Sequence, residues 1–130
     1  MQHTHEDFFE LVRQRIAAKN YDELFSGGCC FHFAMRAHQK SIGSIAYVPT
    51  FGEPTKKAHV FVISTDGRAF DHNGYQEISA LTNKFFGCFD GQHCLMTKDE
   101  LMLEIAKRPF PPDLAEKVAS IADEIIAKRA

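Results

Sequence analysis

The sequence contains no tryptophan, only four cysteines and no excess of charge of one sign. The formal net charge of −2 gives no electrostatic reason to expect binding to nucleic acid or to an anionic membrane surface. No apolar run approaches the ~20 residues that a membrane-spanning helix needs. The polar, acidic start of the chain, residues 1–7, is unlike a signal peptide. These absences favour a cytoplasmic protein with reduced thiols.

The apolar content is large enough for one packed core. The chain has 130 residues, of which 45% are hydrophobic and 12 are phenylalanine, and this predicts a single domain over 1–130. Apolar spacing and capping boxes predict helices over 5–20, 30–39, 75–84, 98–108 and 113–128. Strands are predicted over 44–48, 58–64 and 68–71, with a further strand within 85–96, a connection over 21–28 and a polar loop over 50–57. The predicted fold class is α+β, with a small antiparallel sheet packed among helices.

Two adjacent cysteines, Cys29 and Cys30, follow a glycine pair and open the predicted helix over 30–39. The amides and the dipole at a helix N-terminus favour an anion, so a thiol placed there is easily ionised. A disulfide between adjacent cysteines would be strained. Because cysteine is also among the most buried residue types, simple core packing is the competing interpretation.

A cysteine nucleophile needs a base and an orienting partner, and the predicted hairpin over 58–71 carries both residue types. His59 lies near the start of the first strand, where we expect an accessible end, and Asp71 lies on the returning strand. A three-residue loop, 65–67, would place Phe61 opposite Asp71 and make His59 the diagonal neighbour of Asp71. A two-residue loop would put Asp71 on the opposite face of the sheet. A functional site therefore requires the longer loop, with Gly67 in a left-handed conformation.

Residues 28–34, Gly-Cys-Cys-Phe-His-Phe-Ala, resemble the start of the active-site helix in papain-like cysteine peptidases. The order of a cysteine, a histidine on one strand and an aspartate on the next is also similar to transglutaminase-like enzymes and arylamine N-acetyltransferases. With Ala-His-Val-Phe-Val at 58–62 and Phe-Asp-His-Asn-Gly at 70–74, the region 26–74 resembles small bacterial and phage domains of that superfamily. The resemblance implies a papain-like or transglutaminase-like core with the nucleophile at a helix N-terminus.

The same resemblance implies a cysteine-dependent acyl-transfer enzyme: an amide hydrolase, a deamidase or a transglutaminase-like enzyme. Cys30 would be the nucleophile, His59 the base and then the acid, and Asp71 the residue that orients the imidazole; Cys29 and Asn73 are the alternates. The partner would be a protein or a small amide or thioester substrate, and no cofactor or metal is expected.

The chain departs from the family pattern at the position six residues before the nucleophile. Papain-like enzymes carry a glutamine there as an oxyanion donor, whereas this chain has Leu24. The transglutaminase pattern also has a tryptophan near its histidine, which this chain lacks. The alternative is therefore a catalytically inert member of the same fold that acts as a binding or phage-accessory protein.

A metal site is a weaker interpretation of the remaining cysteines. Cys88, His93 and Cys94 lack the paired spacing of structural zinc sites. His32 and His38 are six residues apart, which does not align them on one helix face.

Overall fold

The computed structural model describes residues 5–50, 52–85 and 92–130, apart from the Pro54 side chain. Helices and strands alternate irregularly along this part of the chain, as expected for an α+β fold. In chain order the elements are α1 His5–Ala17, α2 Tyr21–Ser26, α3 Cys30–Gln39, β1 Ser44–Thr50, β2 Glu53–Ile63, β3 Ala69–Asp71, β4 Gly74–Gln76, α4 Ile78–Lys84, β5 Cys94–Leu95, α5 Lys98–Ala106 and α6 Pro112–Arg129.

The strands form one antiparallel sheet in the order β4-β3-β2-β1-β5. Its main ladder joins β1 and β2, from Ser44 opposite Ile63 to Val48 opposite His59, and the register becomes irregular at Pro49. Proline lacks the N–H that a regular ladder needs, which accounts for the irregularity there. The small antiparallel sheet predicted from the sequence is confirmed.

Helix α3 joins the sheet to the other helices. Its predicted apolar stripe of Phe33, Ala34 and Ala37 is buried in the main core, together with Val60 and Val62 of β2. Alternate β2 side chains point to opposite faces, so the neighbouring residue Phe61 belongs to a second, smaller core cluster. The helix that carries Cys30 is therefore held against the strand that carries His59.

Two polar segments that we predicted as connections are regular structure. The predicted polar loop over 50–57 is wrong, because β1 continues to Thr50 and β2 begins at Glu53. Pairing with a neighbouring strand satisfies the backbone there and overrides weak local propensity. The connection over 21–28 contains α2, whose start is capped by Asn20: its side chain accepts a hydrogen bond from the Glu23 amide at 3.3 Å.

The predicted helix over 75–84 is wrong at its start. Tyr75 and Gln76 belong to β4, and α4 begins only at Ile78. Tyr75 lies opposite Phe70, with ring centroids 4.7 Å apart, and this packing favours the strand. The further strand predicted within 85–96 corresponds to β5, while residues 86–91 lie outside the described part of the chain.

Helix boundaries with strong capping signals agree with the structure. The capping box at Thr97 and Glu100 is present and opens α5. The box predicted at residues 4–7 includes Thr4, which lies outside the described residues. No helix in the described ranges combines the length and apolar character needed to cross a membrane.

Candidate functional site

Helix α3 begins at Cys30, as predicted, with Cys29 in the N-cap position. The chain enters the helix through Gly28, whose φ of +122° lies in a region that L side chains rarely adopt. A Cβ atom at this glycine would lie 2.8 Å from the Phe8 ring, so a side chain there would also displace that ring. This entry places Cys30 on the first helical residue, where the backbone amide has no intrahelical acceptor.

The hairpin between β2 and β3 has the register that a functional site requires. Val62 lies opposite Phe70, Ile63 lies opposite Ala69, and the Ser64 amide donates to the Arg68 carbonyl at 2.9 Å. The connecting loop is therefore 65–67, and Gly67 has a φ of +84°. Both the three-residue loop and the left-handed glycine are confirmed.

This register brings His59 and Asp71 together. His59 Nε2 donates a hydrogen bond to Asp71 Oδ2 at 3.0 Å, and both side chains are buried. The other carboxylate oxygen, Oδ1, accepts from the Asn73 amide at 2.9 Å and from Gln76 Nε2 at 3.1 Å. The carboxylate is consequently held in one orientation by three donors from three separate positions.

His59 is completely buried, in contrast to the accessible strand end that we predicted. The physical reason is the longer β2 strand, which places His59 inside the sheet rather than at its end. Its ring stacks on Phe85, with centroids 3.8 Å apart and planes at 5°. The sequence did not predict this contact, because no local pattern links Phe85 to His59.

The pKa of His59 reflects opposing effects. Burial lowers it, but the hydrogen bond to Asp71, the interaction with the Cys30 sulfur and the negative charges of both groups raise it to about 9. Cys30 thus acts on His59 electrostatically, while His59 Nδ1 is buried and has no hydrogen-bond partner among the described residues. A cysteine, a histidine and an aspartate from α3, β2 and β3 therefore lie in one buried group.

The two alternate residues occupy different positions. Cys29 is fully buried, and burial together with the charge of Cys30 raises the pKa of its thiol to about 12. Asn73 is exposed, and its backbone amide, not its side chain, contacts Asp71. In the described part of the chain no hydrogen bond joins either alternate to His59, whereas Cys30 interacts with it electrostatically.

Sequence reasoning missed His72, which it did not single out as a candidate site residue. Its side chain is only 5% exposed, and its Nε2 donates to Asp22 Oδ1 at 2.8 Å. Its Nδ1 is buried without a hydrogen-bond partner and lies 4.0 Å from Asp71 Oδ2. The partners Asp22 and His72 are 50 residues apart, so no local pattern could have predicted the contact.

His59, Asp71 and His72 are also the described residues best placed to hold a metal ion. Each offers one ligand atom, and these atoms all lie within 4.8 Å of one another. The cysteine and histidine set that we considered from the sequence includes Cys88, which lies outside the described residues.

Two cavities lie close to these elements. One of about 210 Å³ lies beside the start of α3 and is lined by Gly28, His32, Arg108 and Phe110, among others. Another, of about 290 Å³, is lined in part by Asp22, His72 and Asn73. His72 therefore lines the second cavity and also lies 4.0 Å from the Asp71 carboxylate.

Comparison of the chain with protein-family models, with curated proteins and with solved structures finds no match. The geometry of the site is therefore the basis for any functional proposal.

Proposed function

We propose that this protein is a cysteine-dependent acyl-transfer enzyme with a papain-like or transglutaminase-like core, acting as an amide hydrolase, a deamidase or a transglutaminase-like enzyme. Cys30 is the nucleophile, His59 transfers the proton, and Asp71 orients the imidazole. The substrate is a protein or a small amide or thioester.

One observation carries the proposal: a buried His59 interacts with Asp71 through a 3.0 Å hydrogen bond and also with Cys30 at the start of a helix. Core packing alone does not require a buried carboxylate and imidazole next to a cysteine, because desolvating such groups is costly. The combination is the one that an activated thiol needs.

The chemistry follows from the hydrogen bonds. Because Nε2 of His59 donates to Asp71, Nδ1 is the nitrogen that takes the proton of the Cys30 thiol. The sulfur attacks the carbonyl carbon, a C–S bond forms, and the bond to the leaving group breaks. His59 returns its proton to the leaving group, and water or an amine then attacks the thioester.

The raised pKa of His59 supports this role. With a pKa of about 9, the imidazole keeps the proton that it takes from the thiol, and its positive charge then favours the sulfur anion that attacks the carbonyl. The unpaired amide of the first helical turn supplies one donor to the oxyanion. Leu24 is buried and apolar, so it supplies no second donor. The proposal includes a reducing compartment, the cytoplasm, because the nucleophile must remain a free thiol.

The test is acylation of the native protein by p-nitrophenyl acetate in chelator-containing buffer. Attack by Cys30 forms an acetyl thioester and releases p-nitrophenolate, so we expect a burst of one equivalent and an acetyl group on the peptide containing Cys30. Mass spectrometry locates the adduct. The Cys30→Ser variant should lose the burst, and His59→Gln should slow it by about 100-fold or more.

Cys29→Ser is the matched control. Cys29 is adjacent in the chain and equally buried, but its raised pKa keeps it protonated. We expect the burst to persist in this variant. Equal acylation of Cys29 and Cys30, or no adduct on either, would contradict the proposed enzyme.

A non-enzymatic binding protein of the same fold is the second candidate. The observation that favours it is burial: Cys30 is only 4% exposed, His59 is fully buried, and Leu24 stands where an oxyanion donor is expected. The absence of an acetyl adduct on folded protein is the result that this candidate predicts.

A further inference from the structure

We propose that His59, Asp71 and His72 form a binding site for a divalent cation of the zinc class. The ligand atoms are Nε2 of His59, Oδ2 of Asp71 and Nδ1 of His72. The site shares two residues with the proposed thiol chemistry, but the binding of the cation does not depend on a reactive Cys30.

The first observation is the orientation of His72. Its Nε2 donates to Asp22 Oδ1 at 2.8 Å, and Ser26 Oγ and Asn73 Nδ2 lie 3.4 and 3.3 Å from the same nitrogen, so this side of the ring is occupied by protein contacts. The other nitrogen, Nδ1, is buried, has no hydrogen-bond partner among the described residues, and lies 4.0 Å from the Asp71 carboxylate. A buried polar atom without a partner is costly, and a cation between Nδ1 and the carboxylate would give both atoms a partner.

The second observation is the spacing of the three atoms. A tetrahedral cation with ligand bonds of roughly 2.0–2.1 Å has its ligand atoms about 3.3 Å apart. The contacts of Asp71 Oδ2 with His59 and His72 measure 3.0 and 4.0 Å, and all three atoms lie within 4.8 Å of one another. Small side-chain rotations therefore suffice to close the site. Two imidazoles and one carboxylate are a ligand set that suits zinc.

The third observation is the set of outer contacts. A histidine that binds a metal commonly donates its other N–H to a carboxylate, and Asp22 does this for His72 at 2.8 Å. Asp71 Oδ1 is occupied by Asn73 and Gln76, which leaves Oδ2 for the cation. The outer partners thus fix two of the three ligands in the orientation required.

A bound cation would also act on the thiol chemistry, since it replaces the proton between His59 and Asp71. We therefore expect excess cation to slow the acylation of Cys30, and a chelator to restore it. This consequence rests on the proposed function, whereas binding itself does not.

The test is titration of the metal-free Cys30→Ser protein with Co²⁺, followed by visible absorption. We expect one equivalent to bind with the strong visible bands of a tetrahedral site and without a sulfur-to-cobalt band in the near ultraviolet. Zn²⁺ should displace the Co²⁺ and erase the visible bands. Because the variant lacks the proposed nucleophile, failure of the thiol proposal leaves this result unaffected.

Three variants assign the ligands. His72→Ala should abolish the tetrahedral spectrum, with circular dichroism verifying the fold. Asp22→Asn, at an exposed carboxylate, should weaken binding by about 10- to 100-fold without affecting folding. His38→Ala changes a histidine whose Nδ1 contacts the Gly43 carbonyl, and it should bind as the parent does. No stoichiometric binding, or binding that survives His72→Ala, overturns the proposal.

Discussion

At the scale of single residues, Asp71 determines the charge of the candidate site. Burial by itself raises the pKa of this carboxyl, but the His59 hydrogen bond and the charges of His59 and His72 hold it below the usual value. Asp71 therefore remains ionised in the core, and its charge is one reason that His59 can hold a proton there.

We expect Asp71→Asn to lower the pKa of His59 from about 9 toward or below the ordinary value of about 6.5, because the change removes charge while keeping the size of the side chain. NMR titration of the His59 ring protons in chelator-containing buffer measures this shift. Asp66→Asn is the matched control, since Asp66 is an exposed carboxylate of the same hairpin that contacts Ser64 and Arg68. An unchanged His59 pKa in Asp71→Asn would contradict the claim that the Asp71 carboxylate raises this pKa.

At the scale of elements, the β2–β3 hairpin determines which side chains meet. The three-residue loop sets the register, and that register puts Asp71 on the same face as His59. The loop depends on the φ of +84° at Gly67. A Cβ atom there would meet no atom within 4 Å, so a substitution strains only the backbone.

Gly67→Ala should therefore lower the free energy of unfolding by about 1 kcal/mol, measured by urea denaturation. Gly67→Asn should lower the free energy of unfolding by less than Gly67→Ala, because asparagine tolerates the left-handed region better than alanine. Gly52→Ala is the control, with a similar φ of +82° and equally open surroundings, and it should cost as much as Gly67→Ala. A Gly67→Ala protein as stable as the parent would contradict the role given to this turn.

At the scale of the whole molecule, one buried and one partly buried histidine, His59 and His32, impose opposite pH dependences on stability. The pKa of His59 is raised to about 9 by its partners, against the effect of burial. The pKa of His32 is lowered to about 4 by burial and by the charge of Arg108. The His59 contribution is fully present below pH ~6.5 and is lost as pH rises through 9. His32 has the opposite effect. It lowers the free energy of unfolding as pH falls from ~6.5 toward 4, because its imidazole binds a proton more readily in the unfolded chain.

We therefore expect the free energy of unfolding to be greatest near pH ~6.5 and to fall on both sides. Each histidine should change it by on the order of 3 kcal/mol over its full titration range. Urea denaturation from pH 4 to 9 in chelator-containing buffer measures the profile. His32→Gln should flatten the acid side and leave the alkaline side unchanged. Stability that rises steadily between pH 7 and 9 would contradict the charge state assigned to His59.

The sequence by itself determined the features that depend on local physics. The start of α3 at Cys30 follows from the glycine pair and the apolar spacing after it, and the Thr97 capping box specifies the start of α5. The strand alternation and the Thr-Asp-Gly turn likewise specified a hairpin over 58–71, although the choice between a two-residue and a three-residue loop, and with it the register, came from the structure. These interactions span only a few residues, so a short sequence window contains all the necessary information.

Only the tertiary structure decided the features that depend on distant partners. Strand β2 begins at Glu53 because it pairs with β1, and this extension buries His59. Tyr75 belongs to a strand because it packs against Phe70. The contact of His72 with Asp22 joins residues that are 50 positions apart, and it is formed only when α2 packs beside the β3–β4 turn. Local propensity and residue spacing do not predict such pairs, because the free energy that stabilises a long-range contact arises only when the elements pack together.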